Sequence, residues 1–277
     1  MQLSIVIITF NEEANIGRTL ASVQPLVADG KGEIIVVDSG STDRTVEIAK
    51  SFGAKVFVEA WKGYAAQKNS AIEKASGDWI FSLDADEEAD PELIGELSGH
   101  PANGSAPGEW CLTMNRGTRT STISDQLSPA FFIRRKNHFL KRWIRYGGYW
   151  PDPKLRIFPR GKGRFEDRSV HEDVQVDGPK RTIPAGAIIH HSYPTLSDYI
   201  DHMNRYSSLG AEMVVAKGKV RFSSINIVLR PLFTFIYNYV FRLGFLDGRE
   251  GLLLHLYHAV YVSWKYAKAW ELSRSGK

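Results

Sequence analysis

Three stretches decide the fold: LSIVIITF (Leu3–Phe10), EIIVVD running into SGSTD (Glu33–Asp43), and DWIFSLDADEE (Asp78–Glu88). Each opens as a continuous run of branched and aromatic residues, which a strand covered on both faces requires. Each then ends abruptly in polar and acidic residues. Between them lie helical spacings, with Ile16, Leu20 and Val23 in the first, then TDRTVEIAKSF, and AAQKNSAIEKA after the short strand AKVFVE. Four strands with three intervening helices predict right-handed βαβ units in a mostly parallel α/β sheet.

Beyond residue 100 the alternation stops. HPANGSAPGEW is a Pro/Gly/Ser loop and a plausible boundary. Short strands are expected at Trp110–Met114, Leu155–Phe158 and Ala187–His191, and helices from Thr195 onward. The organisation expected is 1–110 for a ligand-binding domain, 111–194 for a middle region, and 195–277 for a helical, aromatic-rich extension.

Charge follows the same division. The 277 residues carry a net charge of +4. Residues 1–110 hold 8 Lys/Arg against 18 Asp/Glu, residues 111–191 hold 16 against 7, and residues 192–277 hold 11 against 6. An acidic first part suits a bound cation, and basic later parts suit an anionic partner. A composition of 43% hydrophobic and 24% charged residues excludes wholesale disorder. The single cysteine, Cys111, excludes an intrachain disulfide and fits a reducing compartment. No secretory signal is visible at the N-terminus, and neither PLFTFIYNYVF (Pro231–Phe241) nor LLLHLYHAVYVSW (Leu252–Trp264) has the length and composition of a spanning helix.

In open parallel sheets ligands bind beyond the carboxyl ends of the strands. Those ends carry Thr9-Phe10-Asn11-Glu12-Glu13, Asp38-Ser39-Gly40-Ser41-Thr42-Asp43 and Asp84-Ala85-Asp86-Glu87. Some of these side chains serve only to cap the next helix, as Thr42 or Asp43 is expected to do. The acid-x-acid triplet Asp84–Asp86 is suited to a hard divalent ion, which takes one or two carboxylates plus substrate phosphates. No phosphate-binding GxxxxGK[ST], no GxGxxG after the first strand, no HExxH and no paired-cysteine site is present, so P-loop, dinucleotide and zinc chemistries lose support.

The order IVIITFNEE, IIVVDSGSTD, GYAAQKNSAIEKASGDWIFSLDADE resembles the nucleotide-sugar domain of inverting family 2 glycosyltransferases, of the GT-A fold, over roughly residues 2–100. YWPDPKLRIFPR, RSVHEDV and IIHHSYPTLSDYIDHMNRYS resemble a narrower branch, bacterial transferases that glucosylate a heptose of the lipopolysaccharide inner core. The resemblance implies a UDP-sugar donor, a lipid-linked saccharide acceptor, and Mg²⁺ or Mn²⁺ as cofactor. It implies that Thr9, Phe10 and Glu12 frame the nucleobase and ribose, that Asp38 hydrogen-bonds the uracil or ribose, and that Lys68 contacts the nucleotide. Arg156, in KLRIF, suits bidentate recognition of phosphate and is expected at the diphosphate or the acceptor, with a solvent-facing strand residue the plainer reading. Asp84 would stand near the ribose or the metal's waters, and Asp86 would be the direct metal ligand, with His191 the late histidine. Lys68 departs from the family's usual arginine (QKN here for ARN), and the two are not interchangeable at a bidentate site. Ile8 stands where the family often has proline. Glu172 is the expected base for the acceptor hydroxyl, with Asp173 in reserve, since a positioned carboxylate removes the proton a sugar hydroxyl must lose. A same-family transferase acting on a capsule, an exopolysaccharide or a protein remains open, as does a non-catalytic nucleotide-sugar or membrane-binding protein.

FFIRRKNHFLKRWIRYGGYW (Phe131–Trp150) spaces its apolar residues, Phe132, Phe139 and Trp143 with Ile133, Leu140 and Ile144, by sevens and fours, and reads as one helix with a basic face. Its expected partner is an anionic membrane surface; a helix packed on the sheet is the plainer reading. Nucleic acid is disfavoured because no recognisable module accompanies the basic residues. The C-terminal aromatic stretches suit peripheral contact with the inner face of the cytoplasmic membrane, or pairing with a second subunit in a homo-oligomer.

Overall fold

The computed structural model describes residues 2–99, 129–166, 174–218 and 220–275. The chain forms two compact units: residues 1–135 with 153–190, and residues 136–152 with 191–277. The middle region of the sequence therefore contributes to both.

The first unit is built on a seven-stranded sheet. Its parallel half is β1 (Leu3–Thr9), β2 (Gly32–Asp38), β3 (Lys55–Val58) and β4 (Trp79–Asp84), in the order β3-β2-β1-β4. This is the series expected from the sequence. β9 (Lys154–Pro159) runs antiparallel to β4 and extends the sheet toward β6 (Ala130–Ile133) and β12 (Lys180–Thr182). Helices α1 (Ile16–Val27), α2 (Thr45–Ser51), α3 (Tyr64–Glu73) and α4 (Pro91–Leu97) accompany it. β10 (Gly163–Phe165) pairs antiparallel with β11 (Val174–Val176), and β13 (Ile188–Tyr193) pairs its first half with β5 (Glu87–Ala89).

Period-two alternation divides the core in two. Ile5, Ile7, Ile34, Val36, Phe81 and Leu83 pack on one face with Ile16, Leu20 and Val23 of α1. Val6, Ile35, Val37 and Ile80 pack on the other with Ala65, Ala71 and Ile72 of α3. Both faces of the parallel strands are covered, which explains why their sequences carry no polar alternation.

The second unit contains β7 (Arg135–Phe139, from Lys136 on), β8 (Arg142–Trp143), α5 (Leu196–Ala216), α6 and α7 (Gly248–Ser275). α6 is the α-helical turn Arg230–Ile236 flanked by π-helical turns Ile225–Leu229 and Tyr237–Phe241. Thr195 and Asp198 form a reciprocal capping box that starts α5.

The single basic helix expected over residues 131–150 is not formed. That segment is β6, β7 and β8, with Phe131, Ile133, Phe139 and Ile144 buried. The turn between β7 and β8 explains the misreading. Phe139 faces Arg142 across the hairpin, so Leu140 and Lys141 are its two central residues, with φ of 50° and 67°. Two-residue turns with both central φ positive ordinarily announce themselves with Asn and Gly. Here neither residue carries that signal. The basic side chains are also dispersed rather than gathered on one face: Arg135 approaches Glu87 at 3.3 Å, Arg142 lies 3.9 Å from Glu250, and Lys136 and Arg145 lie over the Trp143 ring.

Candidate active site

The parallel register brings the expected strand ends together. Thr9 is the neighbour of Asp38 across β1 and β2, and Ile8 is the neighbour of Asp84 across β1 and β4. Two loops leave this edge and are tied to each other. The Asn11 N–H donates to Ser41 Oγ at 2.8 Å, and Asn11 Oδ1 accepts from the Thr42 N–H at 2.9 Å. Asn11 itself holds φ of 53°, a left-handed conformation that asparagine tolerates well. The Glu12 N–H donates to Thr45 Oγ1 at 2.8 Å, and the Glu13 N–H to Asp43 at 3.1 Å.

Within these loops the acids divide by task. Asp43 accepts from the Thr45 N–H and hydroxyl and organises the start of α2. Asp38, fully buried, accepts from the N–H groups of Gly40 and Ser41 at 2.9 and 2.8 Å and from the Ser41 hydroxyl, so both its oxygens brace its own loop. Glu12 accepts from Asn15 at 2.7 Å, yet burial, helped by the nearby charges of Asp86 and Asp43, holds its carboxyl above the usual range. Phe10 stands exposed beside them.

The Asp84–Glu87 corner is an ionic network. Asp84 meets the Lys68 ammonium at 2.8 Å through Oδ1 and Arg156 at 2.8 Å through Oδ2. Arg156 also reaches Glu87 at 2.6 Å, and Arg135 approaches the same oxygen at 3.3 Å. Glu87 Oε2 accepts from the Asp84 N–H at 3.1 Å. Burial opposes the charge on Asp84, but Arg156 and Lys68 overcome it and hold the carboxyl well below its usual range. Burial likewise opposes the Arg156 charge, and Asp84 and Glu87 reverse that and strengthen it. Lys68 lies 5.1 Å from the centre of the Phe165 ring.

Asp86 is aimed elsewhere. Its Oδ2 meets Nε2 of His190 at 3.2 Å. Burial again raises the carboxyl's pKa, and the His190 charge and hydrogen bond outweigh it, leaving it below its usual value. α1 holds the intervening backbone: Thr19 donates its hydroxyl to the Ala85 carbonyl at 2.7 Å.

Against the residues expected from sequence, the geometry divides as follows. Thr9, Asp38, Asp84 and Asp86 stand at one sheet edge, with Lys68 and Arg156 beside Asp84. Arg156 does not stand open for a diphosphate; it is buried between two carboxylates. The histidine against Asp86 is His190, not the His191 chosen from sequence, whose ring stacks on His138 at 5.3 Å. Successive strand residues point to opposite faces, so the choice between two adjacent histidines rests on register alone. Glu172 and Asp173 lie outside the described residues.

Sequence reasoning gave Glu87, Arg135 and Asn69 no individual role in the site. Asn69 donates to the Phe165 carbonyl and accepts from the Phe165 N–H, both at 2.9 Å, and thereby ties α3 to β10. Phe165 pairs with Val174, so this clamp fixes the two strands that flank the segment carrying Glu172 and Asp173. No local pattern announces a side-chain bond spanning 96 residues. Among the described residues, Thr9 Oγ1, Ser39 Oγ and both amide atoms of Gln67 are buried and find no hydrogen-bond partner.

A hard divalent cation needs oxygen ligands and accepts one or two carboxylates when substrate phosphates complete its shell. Asp86 supplies one such carboxylate, with the imidazole nitrogen of His190 beside it at 3.2 Å. Asp84 does not, because both its oxygens already meet cations. Among the described residues no cluster of three or more His, Cys, Asp or Glu side chains forms a metal-binding group on its own.

The family model for glycosyl transferase family 2 matches residues 4–151. The lipopolysaccharide core biosynthesis glycosyltransferase LpsC of Rhizobium meliloti is 30% identical over 98% of this chain and 93% of its own length. An uncharacterized glycosyltransferase of Rickettsia conorii is 44% identical over 91% of this chain and 84% of its own. Among solved structures, a Mycobacterium tuberculosis glucosyl-3-phosphoglycerate synthase with Mn²⁺, UDP and glucosyl-3-phosphoglycerate aligns over 35% of this chain and 37% of its own, at 30% identity and a TM-score of 0.30. With a family match over more than half its length and a relative aligned along nearly all of it, the chain belongs to glycosyl transferase family 2.

Proposed function

We propose that the protein transfers a hexose, glucose in the favoured reading, from a UDP-sugar to a heptose of the lipopolysaccharide inner core, with inversion. The observation that carries the reading is the Asp86 carboxylate, half-buried and held against His190 just beyond the end of β4, and separated from the ion-paired Asp84. The similarity to LpsC along nearly the full chain supports the acceptor class. The enzyme would work at the inner face of the cytoplasmic membrane, where a lipid-linked acceptor is presented.

Each part of the site then has one task. Thr9, Phe10, Glu12 and Asp38 frame the nucleoside: Asp38 by shaping the loop that follows it, Phe10 by offering an exposed ring for stacking. Lys68 and Arg156 hold Asp84 and with it the backbone that aims Asp86. A Mg²⁺ or Mn²⁺ ion bound by Asp86 and His190 would offset the charge of the departing diphosphate. Glu172, or Asp173 in its place, takes the proton from the acceptor hydroxyl as that oxygen attacks the anomeric carbon from the face opposite the diphosphate.

Calorimetric titration of UDP with and without Mn²⁺ tests the reading, with a donor-hydrolysis screen across UDP- and GDP-sugars. Wild type should bind UDP more tightly with the ion, Asp86→Asn should lose that gain, and Glu172→Gln should bind normally while transferring at least 100-fold more slowly. Metal-independent UDP binding, or near wild-type transfer by both variants, would overturn it.

A further inference from the structure

The outer face of α6 is apolar where a helix of a soluble unit should be polar. Its inner face is accounted for: Pro231 is buried, Tyr239 lies 6.2 Å from the His255 ring of α7, and the Ile227 carbonyl accepts from Ser263 of α7 at 2.8 Å. The opposite face exposes Ile225, Val228, Leu229, Leu232, Phe233, Ile236, Val240 and Phe241, spaced by threes and fours, and the exposed apolar surface continues into Leu243, Phe245 and Leu246. Phe233 is 66% exposed and Phe241 71%. A contiguous apolar patch of this kind marks an interaction surface.

Charge selects the partner. Residues 217–246 contain five Lys or Arg and no Asp or Glu. Lys217, Arg221, Arg230 and Arg242 are exposed. A second copy of this face would bring the same cations together across a two-fold axis, an arrangement that repels. An anionic headgroup layer over hydrocarbon complements both the cations and the stripe. No helix among the described residues is long and apolar enough to cross a membrane.

We infer that the outer face of α6 is a docking surface for an anionic lipid bilayer, lying in the headgroup region with Phe233 and Phe241 inserted and Lys217, Arg221 and Arg242 on the phosphates. This deepens the membrane location proposed above and rests on the stripe and its charges, independently of donor and acceptor.

The test is co-sedimentation of the full chain with phosphatidylglycerol/phosphatidylethanolamine vesicles and with pure phosphatidylcholine vesicles, with sedimentation velocity run alongside. Wild type should bind the anionic vesicles at least tenfold more tightly than the neutral ones. Phe233→Asp/Phe241→Asp should lose at least tenfold on anionic vesicles, and Lys217→Glu/Arg221→Glu should lose the anionic preference. UDP titration on the same samples reports the first unit separately, so a failure of the donor reading leaves the vesicle result interpretable. Equal binding to both vesicle types, or variants that bind as wild type, overturns the inference. So does a dimer that the Phe variant dissolves without any vesicle binding by wild type, which would assign the face to a second copy.

Discussion

Replacing Arg156 by leucine tests the network under the site most directly. Arg156 is 5% exposed, its guanidinium meets Asp84 at 2.8 Å and Glu87 at 2.6 Å, and Glu87 is fully buried. Without it, Asp84 keeps Lys68, while among the described residues Glu87 is left with Arg135 at 3.3 Å as its cation and the Asp84 N–H at 3.1 Å. Removing one member of a buried ion pair strands the other, at about 3–5 kcal/mol. For a unit of this size that corresponds to a melting point lower by roughly 6–20 °C. The assay is urea and thermal unfolding followed by tryptophan fluorescence for Arg156→Leu, Glu87→Gln and the double variant. The double variant should recover about 2 kcal/mol of the summed single losses, because the stranded charge is gone. A loss below about 1 kcal/mol for Arg156→Leu, or single effects that add within about 0.5 kcal/mol, would refute the claim that these groups form one buried network.

Two further outcomes follow from the same unit. Burial opposes the charge on Glu33, but the Lys55 ammonium, the Ser4 and Ser76 hydroxyls and the Ser76 N–H pull its pKa down to about 2. Its folded pKa lies below the unfolded one, so it stabilises above about pH 4.5 and loses that contribution as pH falls toward 2, at most about 3 kcal/mol; Glu33→Gln should flatten acid unfolding curves across this window, and an unchanged curve would exclude the role. Gly186, in the turn that feeds β13, holds φ of 76°, and a Cβ there would come 2.2 Å from the Leu93 nitrogen. Gly186→Ala should therefore cost more than the roughly 1–2 kcal/mol of left-handed strain alone, measured by urea unfolding against Gly161→Ala, which holds φ of 80° but whose Cβ meets open space.

The parallel half of the sheet was legible from Leu3 to Asp84 because a strand buried on both faces leaves an unbroken apolar run, a purely local signal. The acidic strand ends were legible for the same reason, since a polar break after such a run marks the sheet edge where ligands bind. The hairpin β7–β8 was not legible, because its turn residues Leu140 and Lys141 are apolar and basic where Asn and Gly are usual, and the apolar spacing around them imitates a helix.

Residue types and their order along the chain thus determined the α/β class, the edge where the acidic strand ends gather and the family. The tertiary structure decided how each of those residues is paired. Asp84 and Asp86 are two positions apart and chemically alike, yet one is locked between Lys68 and Arg156 and the other faces His190. His190 and His191 are adjacent, and strand register alone separates them. It decided as well that the aromatic stretch after Ile225 turns one apolar face outward, because a helix that is apolar all round does not reveal in its sequence which side its neighbour covers. Burial and charge pairing depend on contacts between distant segments, and no local pattern encodes them.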